Sequence, residues 1–169
     1  MEIAFNALTA TDLPRLHEWL GREHVLRWWG ERGTYNDVVE LYLPSIEGSD
    51  PSDLYAIAVD GRPVGFIQTY LLADYPEHAM LLDVGTEAAG LDLFIADPDL
   101  IGQGLGAEVI RSFTAGIVFA RPETRACVAD PDVRNRASIR AFERAGFARV
   151  RDYLDPSDGE VHALVLLER

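Results

Sequence analysis

The chain has 169 residues, of which 48% are hydrophobic and 25% charged, and this suits a single domain because domains cluster near ~100 to 150 residues. Its 28 acidic residues against 15 Lys and Arg give a net charge of -13, which disfavours nucleic acid and anionic membranes as partners and favours cationic small molecules. No run approaches the ~18 apolar residues of a membrane span, and no signal peptide begins the chain, so we expect a soluble, cytoplasmic protein.

Apolar periodicity predicts a strand, two helices and a hairpin in the first half of the chain. Leu13, Leu16 and Leu20 recur at helical spacing behind a residue that can cap the helix, Thr11 or Asp12. An Asp-Gly dipeptide at 60–61 joins two apolar runs, as in tight hairpin turns. The predicted elements are a strand at 2–8, the helix of the three leucines, a helix at 35–43, and hairpin strands at 54–59 and 64–72.

The second half alternates strands and helices around a glycine-rich loop. Residues 74–90 are polar and contain glycine, which predicts a connection. The predicted elements are strands at 91–95 and 125–129, the glycine loop at 102–106, helices at 107–119 and 135–145, and a last hairpin at 148–154 and 161–167. This order predicts an α/β (α+β) fold with one central, mostly antiparallel mixed sheet flanked by helices.

The cysteine and histidine content argues against a metal centre. Cys127 is the only cysteine, so an internal disulfide and multi-thiolate zinc sites are excluded. It lies in an apolar run, where a buried structural thiol is favoured over a nucleophile. The four histidines show no paired ligand spacing such as HExxH, and we predict no metal.

The loop Gly102-Gln103-Gly104-Leu105-Gly106 has the composition of a phosphate-binding turn. Glycines let a backbone approach a ligand closely, and the N–H groups at the start of the following helix suit a diphosphate. Three sites share such a loop: a dinucleotide-binding fold, a P-loop, and the pyrophosphate loop of N-acetyltransferases. The first has GxGxxG in a parallel βαβ array and the second has GKS or GKT, and neither pattern is present.

A second motif identifies the family that the chain resembles. Residues 135–147 read N-x-x-S-I-R-x-F-E-x-x-G-F, and with the strand, glycine loop and helix before them they resemble the acetyl-CoA-binding core of the GNAT superfamily, over about residues 88–150. Within it, HVLRWWG at 24–30, PVGFIQTY at 63–70 and AGLDLFI at 89–95 resemble the aminoglycoside 6'-N-acetyltransferases. The resemblance implies a single GNAT domain over 1–169 that uses acetyl-CoA to acetylate the 6'-amine of these antibiotics and so causes resistance.

The resemblance also implies which residues bind the cosubstrate. Backbone groups of Leu93, Phe94 and Ile95 would bind the pantetheine arm as a strand would. Backbone amides of Gly102, Gln103, Gly104, Leu105 and Gly106 would hold the pyrophosphate, and Asn135 would contact the cosubstrate further along. Many GNAT loops begin with Arg or Gln, whereas this one begins with Ile101; backbone amides can bind the phosphates without that side chain.

Asp92 and Asp130 are the main acidic candidates. Asp92 interrupts an apolar strand, where a carboxylate is costly unless it faces a cleft or has a partner. An amine must be neutral to attack a thioester, so a carboxylate that first binds the ammonium and then accepts its proton suits acyl transfer. By resemblance Asp92 is the candidate base, with a structural aspartate as the alternative. Asp130 would bind a second ammonium, or else cap the turn that follows it.

Four further residues are candidates for substrate binding. Glu77 matches an acidic residue on a mobile flap of the resembling enzymes, and Asp158 matches an acidic turn residue near their acceptor, although turn chemistry also explains it. Trp28 and Trp29 are adjacent, so they cannot both face the core from one side of a helix, and at least one is a candidate to line a cleft. Core packing is the alternative for both.

One departure bears on the mechanism and keeps other functions open. Related enzymes commonly use a tyrosine of the late helix as general acid, and Phe142 stands at that position. The alternatives are a GNAT enzyme for another amine, such as a polyamine, a siderophore lysine or a protein N-terminus, and a non-catalytic module that binds acetyl-CoA or an aminoglycoside. We expect a cationic small-molecule partner and a monomer or homodimer.

Overall fold

A seven-stranded mixed sheet organises the protein in a computed structural model, which describes residues 1–30 and 33–169. The order along the sheet is β1-β2-β3-β4-β5-β7-β6. β4 and β5 are parallel, whereas β1 with β2, β5 with β7, and β6 with β7 pair antiparallel. The strands are β1 Ile3–Ala7, β2 Asp53–Val59, β3 Arg62–Leu71, β4 Ala88–Ile95, β5 Ala126–Ala129, β6 Ala148–Leu154 and β7 Val161–Glu168. The predicted mixed, mostly antiparallel sheet is confirmed.

Six helices accompany the sheet within the described residues. They are α1 Leu13–Leu20, α2 Glu23–Trp29, α3 Tyr35–Glu47, α4 Pro76–Leu82, α5 Leu105–Phe113 and α6 Arg136–Arg144. Two of them, α2 and α4, are absent from the sequence prediction. Each has seven residues, about two turns, which is too short for a 3.6-residue apolar pattern to stand out. α5 continues as a π-helical turn over Thr114–Val118, so the predicted helix at 107–119 is real but changes its hydrogen bonding at Thr114.

The chain forms two compact units, each built from two stretches of sequence. The first consists of residues 1–68 and 93–101. Its core gathers aromatic rings: Phe66 stacks on Phe94 at 5.6 Å between ring centroids, and Trp29 and Tyr42 contact Phe66 edge-on at 5.7 Å each. Phe66 is completely buried, so these offset and edge-to-face contacts add to its hydrophobic burial.

The second unit consists of residues 69–92 and 102–169. One of its clusters packs apolar residues of α4 against strands β4 to β7, including Leu82, Val128 and Leu164. Cys127, on β5 of the same unit, is fully buried, and burial together with the Asp92 carboxylate raises the pKa of its thiol. The prediction of a buried, structural thiol therefore agrees with its position.

Two capping features delimit α6 in this unit. The side chain of Asn135 accepts a hydrogen bond of 3.1 Å from the backbone N–H of Ser138, and Gly146 follows the helix with φ of 106°, a left-handed conformation that favours glycine.

No helix in the described part of the chain is long and apolar enough to cross a membrane. The single-domain prediction for 1–169 remains a prediction.

Candidate functional site

Two carboxylates follow the end of the pairing between β4 and β5. The parallel register runs from Ala88–Ala126 to Gly90–Val128, and Asp92 and Asp130 come two residues after the last pair. Both are half-buried. Strands that stop pairing leave room between their ends, so the fold gives these two predicted site residues a common location.

Tyr70, near the end of β3, has a side chain on which both of these carboxylates act electrostatically. Burial raises the pKa of its hydroxyl well above the usual range, and the charges of Asp92 and Asp130 raise it further. The phenol therefore stays protonated, and both acids act on it electrostatically. Its ring also contacts Tyr75 edge-on, at 5.2 Å between centroids, and His78 at 6.2 Å.

Asp130 is held at two of its atoms. Its carboxylate accepts a short hydrogen bond from the Tyr153 hydroxyl, and its backbone carbonyl accepts one of 2.7 Å from Nδ1 of His162. Burial raises the pKa of Asp130, while the Tyr153 hydrogen bond and the nearby His78 and His162 oppose that rise. A half-buried acid with a raised pKa gains by receiving a cationic group, because the cation stabilises its charged form.

Asp158 lies in the exposed turn between β6 and β7. Its Oδ1 accepts a hydrogen bond of 2.8 Å from the backbone N–H of Glu160, and its Oδ2 lies 2.8 Å from Nε2 of His162. The backbone hydrogen bond is the main cause of its lowered pKa, so this carboxylate is charged at neutral pH. The turn chemistry expected from the sequence is present, and a side-chain partner from β7 is added to it.

Two other predictions concern the same unit. Glu77 is exposed in the first turn of α4, and its role at a substrate stays a prediction. Ligand-type atoms of Asp155, Asp158 and His162 lie within 4.8 Å of one another. Because the hydrogen bond between His162 and Asp158 already draws two of them together, the group is explained without an ion, and the absence of a metal remains a prediction.

The glycine loop ends at the N-terminus of α5. Gly102 and Gly104 have φ of 77° and 85°, in the left-handed region where a side chain is strained, and a Cβ at either would meet only open space within 4 Å. Gly104 caps the helix, whose first hydrogen bond joins Glu108 N–H to the Gly104 carbonyl at 3.4 Å. The earlier N–H groups of the turn, from 105 to 107, thus have no carbonyl inside the helix and point out of its end.

Leu93, Phe94 and Ile95 lie in the first unit, on the second half of β4. The Ile95 carbonyl is 3.0 Å from Nε2 of His24, and a Cβ at Gly65 would overlap the Phe94 carbonyl. The side chain of Phe94 is buried, whereas those of Leu93 and Ile95 are half-buried. The Ile95 carbonyl thus already has a side-chain partner in the first unit, His24.

Of the two adjacent tryptophans, one packs on the core and the other is exposed, as their adjacency predicts. Trp29 packs on the first unit's core, and its indole N–H donates a hydrogen bond of 3.0 Å to the Tyr42 hydroxyl. Trp28 is 37% exposed, with Arg27 above its ring at 4.9 Å. Core packing therefore accounts for Trp29, and Trp28 is the one whose side chain is accessible to a ligand.

Phe142 is buried on α6 and contacts Phe147 edge-on at 5.1 Å. Sequence reasoning missed three polar residues of the second unit: Tyr70, Tyr153 and His162. Each stands in a strand pattern, where a tyrosine or histidine usually packs without a functional role. No local sequence pattern distinguishes them. They stand out only through their interactions with Asp92, Asp130 or Asp158, which lie on other strands or in turns.

Comparison with known proteins gives consistent matches. A family model described as an acetyltransferase (GNAT) domain matches residues 9–153. An aminoglycoside N(6')-acetyltransferase type 1 from Klebsiella pneumoniae is 31% identical over 163 residues, which cover 95% of this chain and 81% of that protein. The lysine N-acyltransferase MbtK of Mycobacterium tuberculosis is 28% identical over 137 residues, covering 80% of this chain and 64% of that protein. A crystal structure of AAC(6')-Ib with coenzyme A and kanamycin has a TM-score of 0.87 and 29% identity, covering 99% of this chain and 95% of that one.

Proposed function

Because the chain belongs to the GNAT family of acetyltransferases, we propose that it transfers the acetyl group of acetyl-CoA to the 6'-amine of an aminoglycoside. The observation that carries the proposal is the likeness to an aminoglycoside N(6')-acetyltransferase along 95% of the chain. Acetylation of that amine would remove a positive charge from the drug and thereby protect the organism that makes this protein.

The chemistry needs a neutral amine, and Asp92 is the residue proposed to provide it. The carboxylate binds the arriving ammonium and then accepts its proton, directly or through water. The amine nitrogen attacks the thioester carbonyl carbon, a C–N bond forms, and the oxyanion is stabilised by backbone N–H groups. The C–S bond then breaks, coenzyme A leaves as a thiolate, and the nitrogen of the new amide releases its remaining extra proton to solvent.

Asp130 and Asp158 are proposed to bind further ammonium groups of the acceptor. Asp130 lies close to Tyr70, as Asp92 does, and Asp158 is connected to Asp130 through His162. Several separated carboxylates match an acceptor with several separated ammonium groups better than one with a single amine. Glu77 and Trp28 are proposed to add contacts at the acceptor.

For the cosubstrate, we propose that the N–H groups at the start of α5 and in the loop 102–106 bind the pyrophosphate. The geometry that supports this is a pair of left-handed glycines before a helix of nine residues, since a helix N-terminus favours negative charge. Backbone groups of Leu93 and Ile95 would bind the pantetheine arm. Asn135, whose side-chain oxygen caps α6, would contact the cosubstrate through its amide nitrogen.

The leaving thiolate requires no protein acid in this proposal. Phe142 carries no proton to donate, and its ring is 2% exposed. A thiol has a pKa of about 8.5 in a cysteine, so a coenzyme A thiolate can take its proton from solvent near neutral pH. Turnover would then show little dependence on an acidic group of the enzyme at high pH.

A second candidate is acylation of a different amine, such as the side chain of a lysine. The similarity to MbtK over 80% of the chain favours it, although this chain spans only 64% of that protein. A siderophore lysine has one reactive amine, and it would offer Asp130 and Asp158 no further ammonium group of the acceptor to bind.

The test is thiol release from acetyl-CoA with a panel of amines, with mass spectrometry of the product. Turnover of kanamycin with one acetyl group at the 6'-position supports the proposal. Turnover of a polyamine or a lysine derivative alone would replace it by the second candidate. Binding of acetyl-CoA and kanamycin without any product would indicate a non-catalytic module.

A further inference from the structure

His162 makes a hydrogen bond with each of its two ring nitrogens. Nδ1 lies 2.7 Å from the backbone carbonyl of Asp130, and Nε2 lies 2.8 Å from Oδ2 of Asp158. A carbonyl oxygen and an ionised carboxylate both accept hydrogen bonds, so the two contacts can both be hydrogen bonds only when the ring is protonated and both of its nitrogens donate. Burial lowers the pKa of His162, but its hydrogen bonds to Asp130 and Asp158 outweigh burial and the net pKa is raised.

The ring of His162 is also fixed by its neighbour on β6. Tyr153 stacks against it with 5.9 Å between ring centroids and 30° between the planes, and the same tyrosine donates its hydroxyl proton to the Asp130 carboxylate. The His162 side chain is 16% exposed and that of Asp158 is 46% exposed. The less exposed His162 ring thus holds the more accessible Asp158 carboxylate by a hydrogen bond.

Resting on the proposed function, we infer that His162 is a positioning residue for a polycationic acceptor, because it joins the main chain at Asp130 to the carboxylate of Asp158. Without that connection the Asp158 carboxylate would keep only its hydrogen bond from the backbone N–H of Glu160. With it, the two acids are presented at a fixed separation. This separation selects an acceptor whose ammonium groups have a matching spacing.

The charges around His162 come from four elements of the fold. Besides Asp130 and Asp158, two further aspartates lie near His162. Asp155 precedes the same turn, and the backbone of Asp132 pairs with that of His162 in an isolated antiparallel β-bridge. Asp132 is paired with Arg134 at 2.6 Å, and Arg151 lies above the Tyr153 ring at 5.4 Å. His78 acts on Asp130 from α4. The surroundings are therefore predominantly acidic, and they retain the proton on His162.

The decisive variant is His162→Phe, which keeps a flat ring against Tyr153 and removes both N–H donors. Loss of hydrogen bonds to charged groups weakens binding by about tenfold or more, so we expect the calorimetric Kd for kanamycin to rise about tenfold. The Kd for acetyl-CoA should stay unchanged, and so should the weak affinity for glucosamine, which has one amine. Thermal unfolding shows that the variant is folded.

The pH dependence separates positioning from a general structural effect. We expect the ratio of the kanamycin Kd of His162→Phe to that of the wild type to be largest at low pH. It should fall as the pH rises through the raised pKa of His162, because the wild-type ring then loses one donor. Comparing the two proteins at each pH cancels the titration of the drug's own amines. His162→Gln, which donates without titrating, should recover part of the affinity and show no such fall.

The outcomes distinguish this inference from the proposed function. Equal kanamycin affinity in the wild type and His162→Phe, a ratio that does not change with pH, or an equal loss of acetyl-CoA affinity would each overturn the positioning role. If the wild type binds kanamycin without acetylating it, the proposed function fails while the effect of His162 is still decided. If it binds spermine in place of kanamycin, the same ratio is measured with spermine.

Discussion

The ring of Tyr70 lies directly on the backbone of Gly90, so that a Cβ at Gly90 would overlap the phenol. Gly90 has no left-handed φ, and the need for glycine here is therefore purely one of space. The same contact places the Tyr70 hydroxyl close to Asp92 and Asp130. A small residue on β4 thus makes room for an aromatic side chain whose hydroxyl is under the electrostatic influence of both carboxylates.

Gly90→Ala should displace Tyr70 and lower both stability and acceptor affinity. Overpacking a buried position costs typically ~1 to 3 kcal/mol, and urea unfolding measures that cost. The Gly90→Ala/Tyr70→Ala double variant relieves the overlap, so its loss of stability should be smaller than the two single losses combined. Additive losses would show that the ring and the glycine are independent.

Asp92→Asn should leave acetyl-CoA binding nearly intact and slow turnover, because the amide keeps the shape of the side chain and cannot accept the ammonium proton. Loss of a general base typically costs ~10² to 10⁴ in rate. Steady-state kinetics at several pH values should show partial recovery at high pH, where the amine loses its proton without help. Glu143→Gln, on the exposed surface of α6, is the matched charge control. A variant as fast as wild type at neutral pH would leave Asp92 with at most a binding role.

Gly104→Leu should weaken acetyl-CoA binding strongly, since the side chain would stand in the open space before the N-terminus of α5. The left-handed φ of 85° at Gly104 adds a strain of about 1 to 2 kcal/mol for any other residue. Gly48→Leu is the matched control, because Gly48 has φ of 82° and equally open surroundings. Calorimetry should find weaker acetyl-CoA binding in the first variant alone; a similar effect in both would point to general destabilisation.

The Michaelis constant for kanamycin should rise with salt concentration. Attraction between exposed charges is screened over ~10 Å at 0.1 M ionic strength, and the net charge of -13 adds a long-range attraction for cations. A monoamine acceptor should show a smaller rise over the same range of sodium chloride. A kanamycin constant that stays flat with salt would argue against an acidic acceptor site.

The pH dependence of stability should show the raised pKa of His162. A histidine whose pKa is higher in the folded state than its ordinary 6.5 contributes stability that is fully present below 6.5. That contribution is lost as the pH rises through the folded pKa. Urea unfolding across this window should find a falling free energy of unfolding in the wild type. In His162→Phe the fall should be smaller, and an identical slope in both proteins would mean that His162 titrates normally.

Local sequence patterns predicted most of the elements correctly because their causes are local. The Asp-Gly turn between β2 and β3 has positive φ at both Asp60 and Gly61, 49° and 79°, as its composition indicates. Asn135 and Gly146 delimit α6 through their own backbone neighbours. The short helices α2 and α4 escaped prediction because two turns of helix depend on the surface against which they pack.

The residues of the candidate site also fall into two groups, those that local sequence patterns indicated and those that only the structure revealed. Asp92 was found because a carboxylate inside an apolar strand is conspicuous, and the left-handed glycines before α5 were found because backbone conformation constrains residue type. Tyr70, Tyr153 and His162 were not found. Their significance comes from hydrogen bonds and ring contacts between strands that are distant in sequence, and no local pattern encodes such a contact.

The sequence by itself thus determined the family, the fold class and the glycine loop, since these rest on short motifs, on local apolar patterns and on their order along the chain. The tertiary structure alone decided that Trp29 belongs to a core and that Phe142 is buried. It also decided that Asp130 and Asp158 are joined through His162. The physical reason is that burial and the partners of a buried polar group are set by the packing of strands, and that packing exists only in the folded chain.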